Sequence, residues 1–471
     1  MPALHTHPKF VAGIVACAFI MQQLDGTVVT TALPQMALSF GTDPIHLSIA
    51  VTSYLLGLAV FIPISGWTAD RYGGRNVFCA AIAVFTVGSI LCGLADSLVT
   101  LTAARILQGC GGAMMVPVGR LVLLRSIEKS QLVPIMAFLQ LPAQLGPLLG
   151  PPVGGFITTY ASWRWAFLIN IPIGVIGMAL SYRFIEDDGE RVIRPLDGVG
   201  FVLCAVSLSG IMVGIEIISH SLYEAIIGSV LVITGLAIGV VAWRHLKRHP
   251  HPILDISVMS IETFRVNFGG GSVFRAGSGT LSFLLPLLFQ AVFGMSAFAS
   301  GLLTIASAGG STIMRLTTTP VLRRFGFRTV LIANTFLCAA AIGACILFTA
   351  DTPFAVIFIV LLLGGFFPAL QFTALQALGY SDIPDEKMGS STSIASMTQQ
   401  LSRGFGIAFV AGLMHITQTV RGGETLSAID LRLAFAAATV MILLSMLSYI
   451  PLSRDVGADV SGHAGGKGRG T

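Results

Sequence analysis

The feature that most constrains this 471-residue chain is the recurrence of apolar runs of about twenty residues along nearly its whole length. A run of that length spans the hydrocarbon of a bilayer as a helix. In hydrocarbon every backbone N–H and C=O must be bonded internally, so only helices or closed barrels serve. Gly (53) and Pro (21) recur through the runs and argue against alternating barrel strands. Charged residues make up only 10% of the chain, against roughly 25% in a soluble domain. The sequence therefore predicts an all-α membrane protein.

Fourteen spans are expected, near 10–31, 46–68, 76–95, 98–122, 132–157, 163–183, 198–218, 222–243, 264–293, 297–318, 328–349, 353–378, 389–416 and 431–452. The first follows Lys9 like the apolar core of a signal peptide, but it is longer and carries Asp25, so it reads as an uncleaved span. Placing the amino terminus inside puts 21 of the 27 Lys and Arg on one side, in loops and span ends. Arg164, Arg421 and Arg432 fall opposite, and Arg105, Arg275 and Arg403 lie deeper in spans. That asymmetry predicts two cytoplasmic termini, and it accounts for the net charge of +5 without nucleic acid as a partner.

An internal repeat divides the chain. Asp70-Arg71-Tyr72-Gly73-Gly74-Arg75 returns 253 residues later as Arg323-Arg324-Phe325-Gly326-Phe327-Arg328. Each copy joins the second and third spans of a six-span set, as paired transporter halves do. The expected organisation is a six-helix bundle over 1–184, two extra spans with flanking loops over 185–260, a second six-helix bundle over 261–454, and a disordered cytoplasmic tail over 455–471.

Four motifs at matching helix positions resemble the major facilitator superfamily, in its fourteen-helix drug:proton antiporter branch. Gly66-Trp67-Thr68-Ala69-Asp70-Arg71-Tyr72-Gly73-Gly74-Arg75 resembles the loop motif between helices 2 and 3. Arg105-Ile106-Leu107-Gln108-Gly109-Cys110-Gly111-Gly112 resembles the helix-4 motif, and Gly146-Pro147-Leu148-Leu149-Gly150-Pro151-Pro152-Val153-Gly154-Gly155 the antiporter motif of helix 5. Leu24-Asp25-Gly26-Thr27-Val28-Val29-Thr30-Thr31-Ala32-Leu33-Pro34 is similar to the helix-1 signature of that branch. Met114–Arg120 and Phe167–Pro172 are similar to its MdtD-like members. The resemblance reaches to about residue 452. It implies a major facilitator fold in a bacterial inner membrane, a functional monomer, and proton-coupled export of small molecules through alternating access. It also implies that Arg105 takes part in proton coupling.

The residues themselves sharpen this. Of 22 acids only Asp25, Glu216 and Glu224 lie within spans, both glutamates near the outer ends of the central pair, where a solvated carboxylate is expected. An ionised carboxylate at membrane depth needs water or a partner. Asp25 is therefore either a protonation site or half of a permanent pair with Arg105. Arg275 and Arg403 add two positive charges with no acid to match, which favours an anionic solute; the other reading has them neutralised by carbonyls or reaching an interface. Arg315, close to the inner surface, is expected to reach it. Gln23, Gln108, Met114, Gln140, Gln144, Arg275, Gln371 and Arg403 are the candidate cavity residues, and each also reads as packing. Gly66, Asp70, Arg71, Gly73 and Arg75 form a candidate gating loop, in which Asp70 is placed to cap helix 3 and meet another helix's positive end. Gly146, Gly150 and Gly154 at four-residue spacing give helix 5 a smooth face, with Gly155 next to it, and Pro147, Pro151 and Pro152 remove backbone donors and bend it.

Other classes find no support. The seven cysteines lie in apolar runs without a CxxC, the nine histidines form no HExxH, and Gly465-Gly466-Lys467-Gly468 misses the phosphate-loop pattern. No enzyme, metal centre or cofactor is expected. Partners are a small-molecule substrate, protons and membrane lipids. The alternative substrate class is organic anions or their metal complexes.

Overall fold

A computed structural model describes residues 8–41, 48–186, 195–218, 222–295, 297–422 and 427–463. Helices are the only regular elements among them. In chain order these are α1 (Pro8–Phe40), α2 (Ser48–Phe61), α3 (Ser65–Tyr72), α4 (Gly74–Leu94), α5 (Leu98–Arg125), α6 (Leu132–Tyr160), α7 (Trp165–Leu168) and α8 (Asn170–Phe184). Then follow α9 (Gly198–Ile218), α10 (Leu222–Arg248), α11 (Glu262–Gly279), α12 (Leu281–Pro286), α13 (Ala297–Gly343), α14 (Phe354–Ser381), α15 (Asp385–Arg421), α16 (Ala428–Ser445) and α17 (Ala458–Ser461).

Ten helices among the described residues are long and apolar enough to cross a membrane. The other four expected spans also fall on helical chain: Ser48–Tyr72, interrupted by a 3-10 turn at Pro63, Leu132–Tyr160, the first part of α13, and α15. Helix α15 carries the Ser/Thr/Gln-rich stretch 390–402, so its hydropathy is low despite its 37 residues.

The repeat extends from loop to packing. Gly73 (φ 88°) ends α3, and Gly326 (φ 72°) breaks α13 at the equivalent place, both in backbone that favours glycine. A Cβ on Gly57 would meet the Ile106 carbonyl oxygen at 2.5 Å, and one on Gly109 would meet the Tyr54 carbonyl. In the second half Gly310 sits against the Leu362 carbonyl and Gly365 against that of Ser307. Gly57 and Tyr54 are each 253 residues before Gly310 and Ser307, the offset of the loops. Each half thus crosses its second and fourth spans at a pair of glycines, which lets the backbones touch.

Helices α9 and α10 form a hairpin closed by Gly214 against Gly228, each Cβ position 2.6 Å from the other's carbonyl, and by Ser207 Oγ donating to Gly235 O at 2.8 Å. The pair leans on α2 and α15 through α9. The halves meet where α6 packs on α13 and α14, and α5 and α3 pack on α15.

The expected disordered tail needs correction at its start. Residues 455–463 are ordered, with α17 lodged between the 129–131 turn of the first half and α13 and α14 of the second. Its apolar Val460 is 4% exposed, and that buried side chain provides the reason for order. Residues 464–471 lie outside the described residues.

Candidate functional site

The Arg105–Gly112 motif explains itself on α5. Gly109 and Gly112 leave one face bare for α2 and Gly111 another for α4: Gly111 fits against Phe85 N at 2.5 Å and Gly112 beneath Tyr54 Oη at 2.8 Å, as Cβ positions. That approach carries Ala50 of α2 within reach of Arg105, whose Nε donates to the Ala50 carbonyl at 2.9 Å. The glycines position the arginine.

Asp25 on α1 completes the site. Arg105 Nη1 donates to Asp25 Oδ2 at 2.7 Å and to Gln108 Oε1 at 2.6 Å. Gln108 Nε2 donates to Asp25 Oδ1 at 2.7 Å and to Ser89 Oγ at 2.8 Å. Asn170 of α8 donates from Nδ2 to Asp25 Oδ1 at 3.0 Å and to Ser89 Oγ at 3.2 Å. The guanidinium lies 4.5 Å from the Tyr54 ring centroid, facing its negative π surface. Asp25 and Arg105 are each 1% exposed. Five helices thus converge on one buried carboxylate held by three donors. With every donor aimed at it, the arrangement fits the ionised form.

The structure brings together Asp25 and Arg105, expected to couple protons, with Gln108, expected in a solute cavity, whose amide bonds within this cluster. Sequence reasoning missed Ser89, Asn170 and Tyr54 as site residues. The available signal was an Asn inside an apolar span, within the quoted Phe167–Pro172 segment.

A second polar group lies between the halves. Arg120 of α5, which charge sorting placed with the basic span ends, is 4% exposed. It donates from Nη1 to Tyr380 Oη of α14 at 3.2 Å and from Nη2 to Gln399 Oε1 of α15 at 3.5 Å. Arg275 of α11 is buried within electrostatic reach of Arg120, Tyr380 and Tyr449. Its Nη2 donates to Asn267 Oδ1, and Nη1 to the Asn267 carbonyl at 3.2 Å. Gly271 leaves the room for this: a Cβ there would sit 3.0 Å from Arg275 Nη1. Among the described residues neither arginine pairs with a carboxylate, and Nε of each lacks a hydrogen-bond partner.

Each of the remaining described cavity candidates has its own local partners. Gln371 is buried and bonded to Asn334 Nδ2, the Leu331 carbonyl and Thr335 Oγ1, stapling α14 to α13. Arg403 lies alongside Gly279 of α11, Met114 packs partly buried against the core, and Gln23 is half-buried on α1. Arg315 is buried, with Nε and Nη1 making no hydrogen bond. The side chains of Gln140, Gln144, Glu216 and Glu224 lie outside the described residues, as do those of Pro147, Pro151 and Pro152 and of Gly146 and Gly155. The helix-5 backbone runs unbroken from Leu132 to Tyr160, and Gly150 presses its bare face on Thr27 of α1.

The candidate gating loop packs against α15 of the second half. Gly66 meets the Gly389 carbonyl of α15 at 2.6 Å from its Cβ position, and its N–H donates to Ser393 Oγ at 3.0 Å. Ser65 Oγ and Ser393 Oγ are 2.8 Å apart. Asp70 pairs with Arg125 Nη2 at 2.8 Å and faces Gly389 in the second turn of α15, at its positive end. The amino-terminal cap of α4 is Gly73, so Asp70 serves the cross-half contact instead. Arg71 stacks over Trp67 at 5.3 Å, and Arg75 over Tyr182 of α8 at 5.2 Å.

Comparison with known proteins identifies the family and the fold. The family model described as Major Facilitator Superfamily matches residues 15–407. Relatives named MdtD, after multidrug resistance, include that of Pectobacterium atrosepticum, 39% identical over 405 residues and covering 85% of this chain and 86% of the relative. The protein of that name from Klebsiella pneumoniae (strain 342) is 40% identical over 408 residues, covering 85% of each. Among solved structures, the human organic anion transporter MFSD10 superposes with a TM-score of 0.66 at 15% identity, covering 94% of this chain and 99% of that one. The proton:xylose symporter XylE superposes at 0.63, also 15% identical, covering 94% and 96%.

Proposed function

The chain belongs to the major facilitator superfamily, and from that premise we propose that it is a proton-coupled antiporter exporting small molecules by alternating access. The observation that carries the reading is the buried Asp25–Arg105 pair at the junction of five helices. A proton on Asp25 Oδ2 turns an acceptor into a donor facing a guanidinium that cannot give up its own proton. The ion pair between α1 and α5 is then lost, and of its hydrogen bonds Arg105 keeps those to Gln108 and the Ala50 carbonyl. Helix α1 also bears on Gly150 of α6, which in turn packs on α13 and α14 of the other half. A proton at Asp25 therefore biases the element that joins the halves, and solute and proton compete through one conformational equilibrium.

The reading takes 1–184 and 261–454 as the two moving halves, 185–260 as the accessory pair, and fourteen spans with both termini in the cytoplasm of a bacterium's inner membrane. The basic end, shut by Ser65, Gly66 and Asp70 on α15, is then the cytoplasmic gate, and this arrangement is the outward-facing one. Export of drug-like solutes follows the relatives named for multidrug resistance. The test is solute-driven proton movement in proteoliposomes. Wild-type protein couples the two, whereas Asp25→Asn binds solute but moves no protons; undiminished pH-dependent flux in that variant removes the assignment.

One observation favours a second substrate class, organic anions or their metal complexes. Arg120 and Arg275 put two buried positive charges between the halves without a carboxylate partner among the described residues. An anionic solute would supply the missing charge. On this reading Arg275→Gln abolishes efflux of carboxylates while sparing that of lipophilic cations. If Arg275→Gln and Arg403→Gln both leave anion efflux intact, the class is wrong.

A further inference from the structure

We propose that Asp197, His245 and His249 form a binding site for one zinc-class divalent transition-metal ion at the basic end of α9 and α10. The site lies apart from the transport pathway and does not depend on how transport is coupled. Asp197 immediately precedes α9 and is 3% exposed. Its Oδ1 accepts from Gly200 N at 2.8 Å, and its Oδ2 from Ile253 N at 3.3 Å. Both carboxylate oxygens thus face hydrogen-bond donors, and His245 stands beside Oδ1, which holds the group in a fixed orientation toward the α10 end. His245 lies in the last turn of α10, and His249, just past its end, continues the turn by donating its N–H to the His245 carbonyl at 2.9 Å, so the two share a face. Their rings lie 5.2 Å apart, 31° from parallel.

One ligand atom from each of the three residues lies within 4.8 Å of the others, and His245 Nε2 already sits 2.8 Å from Asp197 Oδ1. Around a tetrahedral ion with bonds of about 2.0–2.1 Å, neighbouring ligand atoms stand about 3.3 Å apart. Small side-chain rotations separate the close pair and bring His249 in. The ion takes the place of the proton between His245 Nε2 and Asp197 Oδ1, which passes to Nδ1 or to water. His249 Nδ1 exchanges its 3.2 Å bond from the exposed His251 N–H for coordination. Two imidazoles and one carboxylate suit Zn²⁺, Co²⁺ or Ni²⁺, whereas Mg²⁺ and Ca²⁺ prefer oxygen alone. An open pocket lined by Lys247, His249, His251 and Asp255 gives solvent access to the His249 edge of the site.

The location gives the ion a consequence. The segment held by Asp197 at Ile253 continues to Asp255, whose N–H donates to Ser390 Oγ at 3.1 Å, and to Ser257, whose Oγ accepts from Lys387 Nζ at 2.6 Å. Both partners lie in the first turns of α15, beside the Gly66–Gly389 contact that shuts the basic end. An ion that clamps α9 to α10 braces this segment against the closed gate.

The test uses full-length protein in detergent, carrying a tag without histidine, stripped with chelator and titrated with Co²⁺. We expect one equivalent to bind with visible d–d absorption, bleached by Zn²⁺, and a raised melting temperature. His249→Ala and His245→Asn each weaken Co²⁺ binding by at least about tenfold, and His463→Ala leaves it unchanged. His245 and His249 are both half exposed, so their variants are expected to fold; a monodisperse gel-filtration peak checks this, and His249→Gln stands in if the alanine variant fails. No d–d absorption with the wild type, or absorption indifferent to both substitutions, overturns the proposal.

Discussion

Asp25 and Arg105 are tolerable in the interior because each answers the other and both are held by further hydrogen bonds. Breaking one side of such a buried pair leaves an uncompensated charge, at a cost of about 3–5 kcal/mol. Arg105→Met is therefore expected to lower the melting temperature of the purified protein sharply. Asp25→Asn keeps the shape and the acceptor oxygen and costs less, and the double variant recovers part of the loss. Thermal unfolding of the four proteins checks this as a double-mutant cycle, and strictly additive losses would mean that the two side chains do not act on each other. The pair was legible in the sequence because a formal charge in an apolar run has few solutions. Asn170 and Ser89 were not, since an uncharged polar side chain in a span has many ways to be satisfied. Arg120 was misplaced for a related reason: five residues from Arg125 and near a span end, it looked like one more topology signal, and only the tertiary contact with Tyr380 sets it apart.

At the scale of the helix, what decides the architecture is where side chains are missing. Gly57 and Gly109 bring α2 against α5, and Gly310 and Gly365 repeat the crossing in the second half. Added methyls there point at backbone carbonyls, which cannot rotate away, and overpacking of this kind costs about 1–3 kcal/mol. Gly57→Ala and Gly109→Ala are expected to lower thermal stability and to loosen Arg105 from the Ala50 carbonyl. Gly364→Ala on α14, whose Cβ would meet nothing within 4 Å, is expected to be neutral or stabilising, since alanine exceeds glycine in helix propensity by about 1 kcal/mol. Equal losses at all three positions would refute the close-approach argument. Much of this level could be read in advance. Apolar length located the helices, and the loop repeat announced two halves. The glycine crossings could not be told from ordinary helix glycines, because a spacing does not say which neighbour lies opposite. Val460 was hidden by the polar tail around it, where one apolar side chain is too little pattern to predict a docked turn.

For the whole molecule the question is which contacts must part for solute to pass. On the proposed reading they are those of the basic end, where Ser65 and Gly66 of one half meet Gly389 and Ser393 of the other, while α17 bridges the halves separately, between the 129–131 turn and α13 and α14. These contacts are small and polar, unlike the extended packing of α6 on α13 and α14, so they are the ones a few kcal/mol from solute or proton can open. The two hydroxyls stand 2.8 Å apart, so that modest rotation brings paired sulfurs to the bond length of about 2.05 Å. Ser65→Cys with Ser393→Cys, in a background whose seven native cysteines are replaced, is expected to cross-link under mild oxidant and to stop transport, and reductant restores it. The single variants serve as controls, because neither can bridge the halves. Full transport by quantitatively cross-linked protein would mean that this end need not open in the cycle, and the two halves would then have to be linked to the pathway in some other way.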